Sequence, residues 1–395
     1  MSQPLIASKK RIDSIDMLRG IIMIIMALDH TRDFFHITAS TADPTNPAIT
    51  TPILFFTRWI THYCAPVFVF LAGTSVFLAG RKKTKKEMSV FLIKRGLWLA
   101  FLEIVIFNLI FSFDPMYHAI FLQVIWVTGI SMVLMAGFIY LPVRTLFIIG
   151  IVLVAGHNLL DRFNVNAMGG GQVPVWYGLL HQQFITQYAP GRIFGGFYPL
   201  LPWPGIMMLG YCLGSLFTAD YDAVKRRKQL VQIGLMAIIA FFIFRWINVY
   251  GDLVPWSEQA TTTRTIISFF NVTKYPPSLL YCCMTIGPAL ILLAWLEKVQ
   301  SGWGSIVVIY GRVPMFYYLT HFFVLHVLCT IVFFATGHNM SEAAGGLMIF
   351  RPDNFGFSLP VVYAIWIVVV AGLYPLCKRY SIYKATHDYW WLSYL

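Results

Sequence analysis

Apolar runs of roughly 20 residues recur along this chain, each closed by polar or basic residues. Their positions predict about ten membrane helices, over 14–36, 55–79, 90–112, 117–140, 144–160, 200–218, 229–249, 279–296, 305–334 and 358–377. A membrane β-barrel would show short alternating segments instead. The pattern therefore predicts an all-α, polytopic helix bundle, a single transmembrane domain over 1–395. Pro314 lies inside the ninth run, where a proline breaks or kinks a helix. The first run is the weakest on hydropathy. Asp13, Asp16 and Arg19 interrupt its start, and Asp29, His30, Arg32 and Asp33 close it. A charged side chain at the bilayer centre costs roughly 2.5–3.5 kcal/mol. This cluster must face a polar cavity or the membrane surface, and it is the first place to look for chemistry.

Composition supports the membrane reading. Of 395 residues, 58% are hydrophobic and only 12% charged, against about 25% charged in soluble domains. The net charge of +12 does not point to nucleic acid, because most basic residues flank the apolar runs. It is a topology signal. Lys9–Arg11, Arg81–Lys86, Lys225–Lys228 and Lys378–Arg379 fall on one side in the ten-helix scheme. That side is expected to be the cytoplasm, with both termini in it and the Asp29–His36 end of the first helix facing outward. The outer loops are the long ones, 161–199 (with Gly169–Gly171), 250–278 and 335–357. Loops of that length more often shape a binding site than merely connect. The six cysteines lack zinc-ligand spacing and read as buried free thiols, so no metal is expected. No internal repeat is evident, which weakly disfavours an inverted-repeat transporter.

Within the first helix, Arg19 and His30 are eleven residues apart and share a face. Asp16 lies one turn before Arg19 and can pair with it. Asp33, three residues after His30, can reach its ring and is expected to orient the imidazole. Asp29 points about 100° away and is expected to meet Arg32 or another helix. Arg58 and His62 are i,i+4 neighbours at the outer start of the second helix. They read either as a substrate-positioning pair or as an interface. Lys94 and Arg95, with the inner basic cluster, read as phosphate ligands or as membrane anchors. Glu103 lies well inside the third helix and needs a partner, Arg95 or Arg19, or a cavity. On the ninth helix His321 is the candidate cavity residue and His326 a satisfied histidine. Lys274, in the second outer loop, is a candidate for holding substrate. Arg245 can bind an anion or snorkel.

Several blocks carry a family resemblance. The opening Ser14-Ile15-Asp16-Met17-Leu18-Arg19-Gly20 with a later His30 resembles the acyltransferase-3 family. A closer resemblance is to bacterial relatives of heparan-alpha-glucosaminide N-acetyltransferase. It is carried by Leu28–Phe35, His62–Gly73, Leu201–Gly205, Lys274–Ser278 and Gly311–His321. The resemblance implies an acetyl transfer from acetyl-CoA to a sugar amine or hydroxyl, within a polytopic bundle. It also implies a homodimer and residence in a bacterial inner membrane. One departure stands out: the family pattern has an Asn near the His30 position and its active His further on. His36 stands there in this chain, so both histidines are candidates.

Acyl transfer needs a base or a nucleophile, and histidine suits either task. His30 or His36 is expected to act so, with Asp33 and Asp29 beside it. Arg32, Arg58 or a backbone amide can receive the oxyanion, and His62, His321 and Lys274 can hold substrate. Arg19, Lys94 and Arg95 can hold the CoA moiety on the inner side. The alternative function is a proton-coupled transporter or flippase for a glycan or small solute, using the same charges as a relay.

Overall fold

A computed structural model describes residues 13–163, 172–299, 302–343, 348–353 and 355–393. The basic run at 9–11 and the glycines at 169–171 lie outside the described residues. The chain opens with α1 (Asp13–Phe35), α2 (Pro52–Thr61) and α3 (Cys64–Gly80). Next, α4 (Lys85–Phe101) runs through a π-helical turn, Leu102–Phe107, into α5 (Asn108–Ser112). Then come β1 (Ala119–Leu122), α6 (Val124–Phe138), α7 (Val143–Gly156), α8 (Val175–Leu180), β2 (Phe184–Ala189) and β3 (Arg192–Gly196). The remainder is α9 (Pro202–Leu213), α10 (Ala223–Ile247), α11 (Thr262–Phe270), α12 (Leu279–Leu296), α13 (Gly302–Arg312), α14 (Pro314–Ala335) and α15 (Leu359–Thr386).

Among the described residues, six helical stretches are long and apolar enough to cross a membrane: 52–80, 143–162, 223–247, 279–296, 314–335 and 359–386. The protein is multi-pass. The first helix is too charged for that set, yet most of it is buried. It lies inside the bundle against α3, α12, α13, α14 and α15, so its polar residues meet protein rather than lipid. The approach to α13 is close enough to demand glycine. A Cβ at Gly311 would stand 1.8 Å from the Asp16 carbonyl oxygen, and one at Gly20 would stand 2.0 Å from that of Val307. Small residues at a crossing let helix backbones come together in just this way.

Helix ends differ from the hydropathy pattern for local reasons. Thr84 and Glu87 form a capping box, so α4 begins at charged Lys85 rather than at the first apolar residue. The ninth run divides at Val313, with Pro314 in the first turn of α14, where its missing N–H costs nothing. The expected helix over 117–140 is wrong at its start, because residues 119–122 are a strand. Asn108 holds that segment extended, accepting from the Phe121 amide at 2.8 Å and donating to its carbonyl at 3.1 Å. β1 pairs parallel with β3, Ile120 opposite Phe194, and β2 pairs antiparallel with the other edge of β3. Hydropathy missed β1 because Ala119–Leu122 is as apolar as the helix after it, while β2 and β3 lie in the segment read as the 161–199 loop.

Arg245 neither snorkels nor offers itself to an anion. It is 1% exposed and donates to the carbonyls of Phe269, Val254, Ser268 and Asn271 at 2.7–3.0 Å. It thereby folds the 250–278 loop over the bundle. Asp252 closes the same loop, accepting from the Thr273 amide at 2.9 Å and the Ser278 hydroxyl at 2.6 Å. These two contacts bracket Lys274.

Replacing Gly311 by Ala is expected to destabilise the fold by about 1–3 kcal/mol, since the backbones must separate. Gly372→Ala, where an added Cβ meets nothing within 4 Å, is expected to be neutral. Thermal midpoints of both variants in one detergent check this.

Candidate active site

One face of α1 carries Met23, Met26, Asp29 and His30 at helical spacing, and all four line a cavity of about 50 Å³. Cys64, Ala65 and Phe68 of α3 form an apolar wall opposite, joined by Met315. Gln123, Tyr198, Lys274 and Tyr318 bring polar groups from four other segments. The space holds a few water-sized groups. It is apolar on the Met23–Phe68 side and polar on the His30–Lys274 side.

The His30 ring does not meet Asp33, contrary to the expectation from spacing. Its Nδ1 lies 2.7 Å from Nε2 of His321, a fully buried residue of α14. Phe322 packs against the His30 ring at 4.0 Å between centroids, and Tyr318 meets it edge-on. Asp33 instead accepts from Arg32 at 2.6 Å, with its side chain 39% exposed. Asp33 is taken up by Arg32, and the His30 ring is held from the far side by α14. His321 therefore stands behind His30 and is not a lining residue of the cavity.

Asp29 is held between two arginines. It accepts from Arg32 at 3.1 Å and makes a close ion pair with Arg58. Arg58 also reaches the Thr61 hydroxyl. The two guanidinium groups back onto a second cleft of about 360 Å³, shaped by residues 39–44. The Asp29 carboxylate thus forms part of the wall between the first cavity and this cleft.

Several other candidates lie elsewhere. His36 is buried past the end of α1; its carbonyl accepts from Arg351 at 2.7 Å, and its Nδ1 faces the Thr38 hydroxyl at 3.0 Å. It does not line the cavity. His62 is buried against the Tyr281 ring, and its carbonyl accepts from the Tyr281 hydroxyl at 2.6 Å. That makes it an interface residue. Arg19 bonds Asp16 at 2.8 Å, Ser75 at 2.9 Å and the Gly311 carbonyl at 3.1 Å, tying α1 to α3 and α13. Lys94 is exposed and Arg95 half-buried on α4, and neither lines the cavity. Of the residues singled out in the sequence, His30, Asp29 and Lys274 reach the cavity directly. Arg32 and Arg58 act on it through Asp29.

Gln123, Tyr198 and Tyr318 were not singled out by sequence. Gln123 alone had a local signal, a lone amide between apolar neighbours. Glu103 finds neither Arg95 nor Arg19. Its carboxylate accepts from the amides of Ile125 and Trp126 at 2.8 and 3.0 Å, capping the N-terminus of α6 just below Gln123. Lys274 lies 5.1 Å from the centre of the Tyr275 ring. Burial raises the Tyr275 phenol, but the Lys274 ammonium and Arg58 guanidinium outweigh it and leave the group below its ordinary pKa. The polar side of the cavity is thus rich in positive charge.

A family model for heparan-alpha-glucosaminide N-acetyltransferase, catalytic, matches residues 11–249. That span takes in α1 to α10 and hence His30, Asp29 and Arg58, while Lys274 and His321 fall beyond it. No curated protein matches.

Replacing Asp29 by Ala leaves two buried guanidinium groups without their shared partner. Breaking a buried pair this way typically costs about 3–5 kcal/mol. Asp29→Asn keeps a hydrogen-bond acceptor and is expected to lose less. Asp29→Asn should unfold above Asp29→Ala and both below the parent, and midpoints equal to the parent's in both would show that Asp29 does not carry the cluster.

Proposed function

The chain belongs to the heparan-alpha-glucosaminide N-acetyltransferase family, and we propose that it moves an acetyl group from acetyl-CoA to an extracytoplasmic sugar. The acceptor atom is an amine nitrogen or a hydroxyl oxygen. The observation that carries this reading is His30. It is the histidine on the cavity, anchored through one ring nitrogen and set beside Asp29 and Lys274.

In the proposed reaction the acceptor N–H or O–H gives its proton to His30 as the nucleophile attacks the thioester carbonyl. The oxyanion that forms faces the Lys274 ammonium, with the Gln123 amide and Tyr318 hydroxyl as further donors on the same wall. Collapse breaks the C–S bond and leaves the acetylated sugar and CoA. The apolar side, Met23, Met26 and Phe68, suits the acetyl methyl and the thioester arm. Both substrates must widen the cavity, and the methionines that line it are the pliable side chains for that.

The proposed setting is a bacterial cytoplasmic membrane. Arg81 pairs with Asp220 at 3.8 Å, which sets the start of α4 beside the start of α10. Two basic runs at one end of the bundle support the cytoplasm on that side, and CoA arriving from it. The outer cleft at Arg32 and Arg58 would then receive the sugar from the other side.

With radiolabelled acetyl-CoA and a panel of amino sugars and glycans, purified protein is expected to release CoA and acetylated product. His30→Ala should lower turnover by on the order of 10²-fold or more, and His36→Ala should leave most of it. Full activity in His30→Ala, or loss confined to His36→Ala, would overturn the assignment. Solute flux without CoA turnover would favour a transporter instead.

A further inference from the structure

His321 does not line the cavity, yet it is tied to the imidazole that does. Its Nδ1 lies 2.8 Å from the Tyr317 carbonyl, one turn back on α14. A carbonyl only accepts, so His321 Nδ1 carries a hydrogen. In neutral His321 the Nε2 then has a bare lone pair. That lone pair faces His30 Nδ1 at 2.7 Å, so His30 Nδ1 carries the hydrogen of this bond. Neutral His30 is left with a bare Nε2. Among the described residues nothing in the protein bonds that nitrogen, and His30 lines the cavity. The rings are near-parallel, 18° apart, and His321 is stacked in turn on Tyr317 at 15°.

We infer that His321 is a positioning residue, which fixes His30 in the Nδ1–H tautomer and presents its Nε2 as the base. The inference rests on the acetyl transfer proposed above. It replaces the carboxylate that usually orients a catalytic histidine with a second, neutral imidazole. Two consequences follow from the chemistry of the chain. Protonated His30 keeps its Nδ1–H bond to His321, so the ring does not rotate during the reaction. The chain also ends on the Tyr317 carbonyl, which takes no proton. A proton that His30 Nε2 removes from the acceptor therefore leaves by the same nitrogen. It passes to the departing CoA sulfur as the C–S bond breaks and the new C–N or C–O bond is formed. Atoms and charge balance: acceptor and thioester give acetylated sugar and free thiol.

The test compares three variants of the full-length protein. Gln at 321 can set its amide oxygen near the position of Nε2 and accept from His30. Leu removes the acceptor, and Asn keeps polarity but falls short of His30. We expect His321→Gln to keep kcat within about fivefold of the parent, and His321→Leu and His321→Asn to lose on the order of 10²-fold. KM for acetyl-CoA should stay unchanged in all three, and unfolding midpoints are read alongside. If the Leu variant does not fold, the Gln-to-Asn difference decides. Equal kcat in Gln and Asn, or a raised KM at unchanged kcat, overturns the inference and makes His321 structural or substrate-binding. Full activity in His30→Ala would overturn the reading beneath it, whereas an inactive His30→Ala with a fully active His321→Leu overturns this inference alone.

Discussion

An ionised group inside an apolar bundle has to be paired, and in this chain Asp29 is where the pairing converges. Its carboxylate joins Arg32 on the same helix to Arg58 on the next. Left alone, any of these charges would cost several kcal/mol. Joined, they fix the C-terminal end of α1 against α2 and set the wall between two cavities. The neighbouring His30 is freed by this arrangement. With Asp29 and Asp33 both committed to arginine, the imidazole takes its support from another imidazole instead.

The same economy runs through the rest of the bundle. Arg19 is absorbed by Asp16, Ser75 and a carbonyl at the glycine-mediated crossing of α1 and α13. Glu103 accepts from two free amides at the N-terminus of α6. Arg245 and Asp252 fold the 250–278 loop that delivers Lys274 to the cavity. Each buried charge is spent on a backbone contact or an opposite charge. Among the described residues, what stays uncommitted at the cavity is then informative: Nε2 of His30, the Gln123 amide and the Tyr318 hydroxyl.

The helical, multi-pass character was legible because apolar runs of membrane length have no soluble alternative, although among the described residues six of the ten expected spans are long and apolar enough to cross. The break before Pro314 was legible because proline cannot donate in a helix interior. The β1 strand was not, since nothing in Ala119–Leu122 distinguishes it from helix; a side chain eleven residues earlier decides it. His30 and Asp29 stood out as polar groups in the wrong solvent. Asp33 was misassigned as the partner of His30 because spacing along one helix says nothing of what packs from another. The true neighbour, His321, is 291 residues away. Gln123, Tyr198 and Tyr318 were hidden for the same reason: a cavity built from many segments is a property of their packing, and each contributes one ordinary residue.

The most direct measurement of the central claim is a structure of the protein with a non-hydrolysable acetyl-CoA analogue bound. The carbonyl carbon is expected within the Met23–Phe68–Lys274 cavity, with room for an acceptor atom about 3 Å from His30 Nε2. The nucleotide end is expected at the basic residues 81–86 and 225–228. An acyl group resting against His36, or outside the cavity that His30 lines, would contradict it.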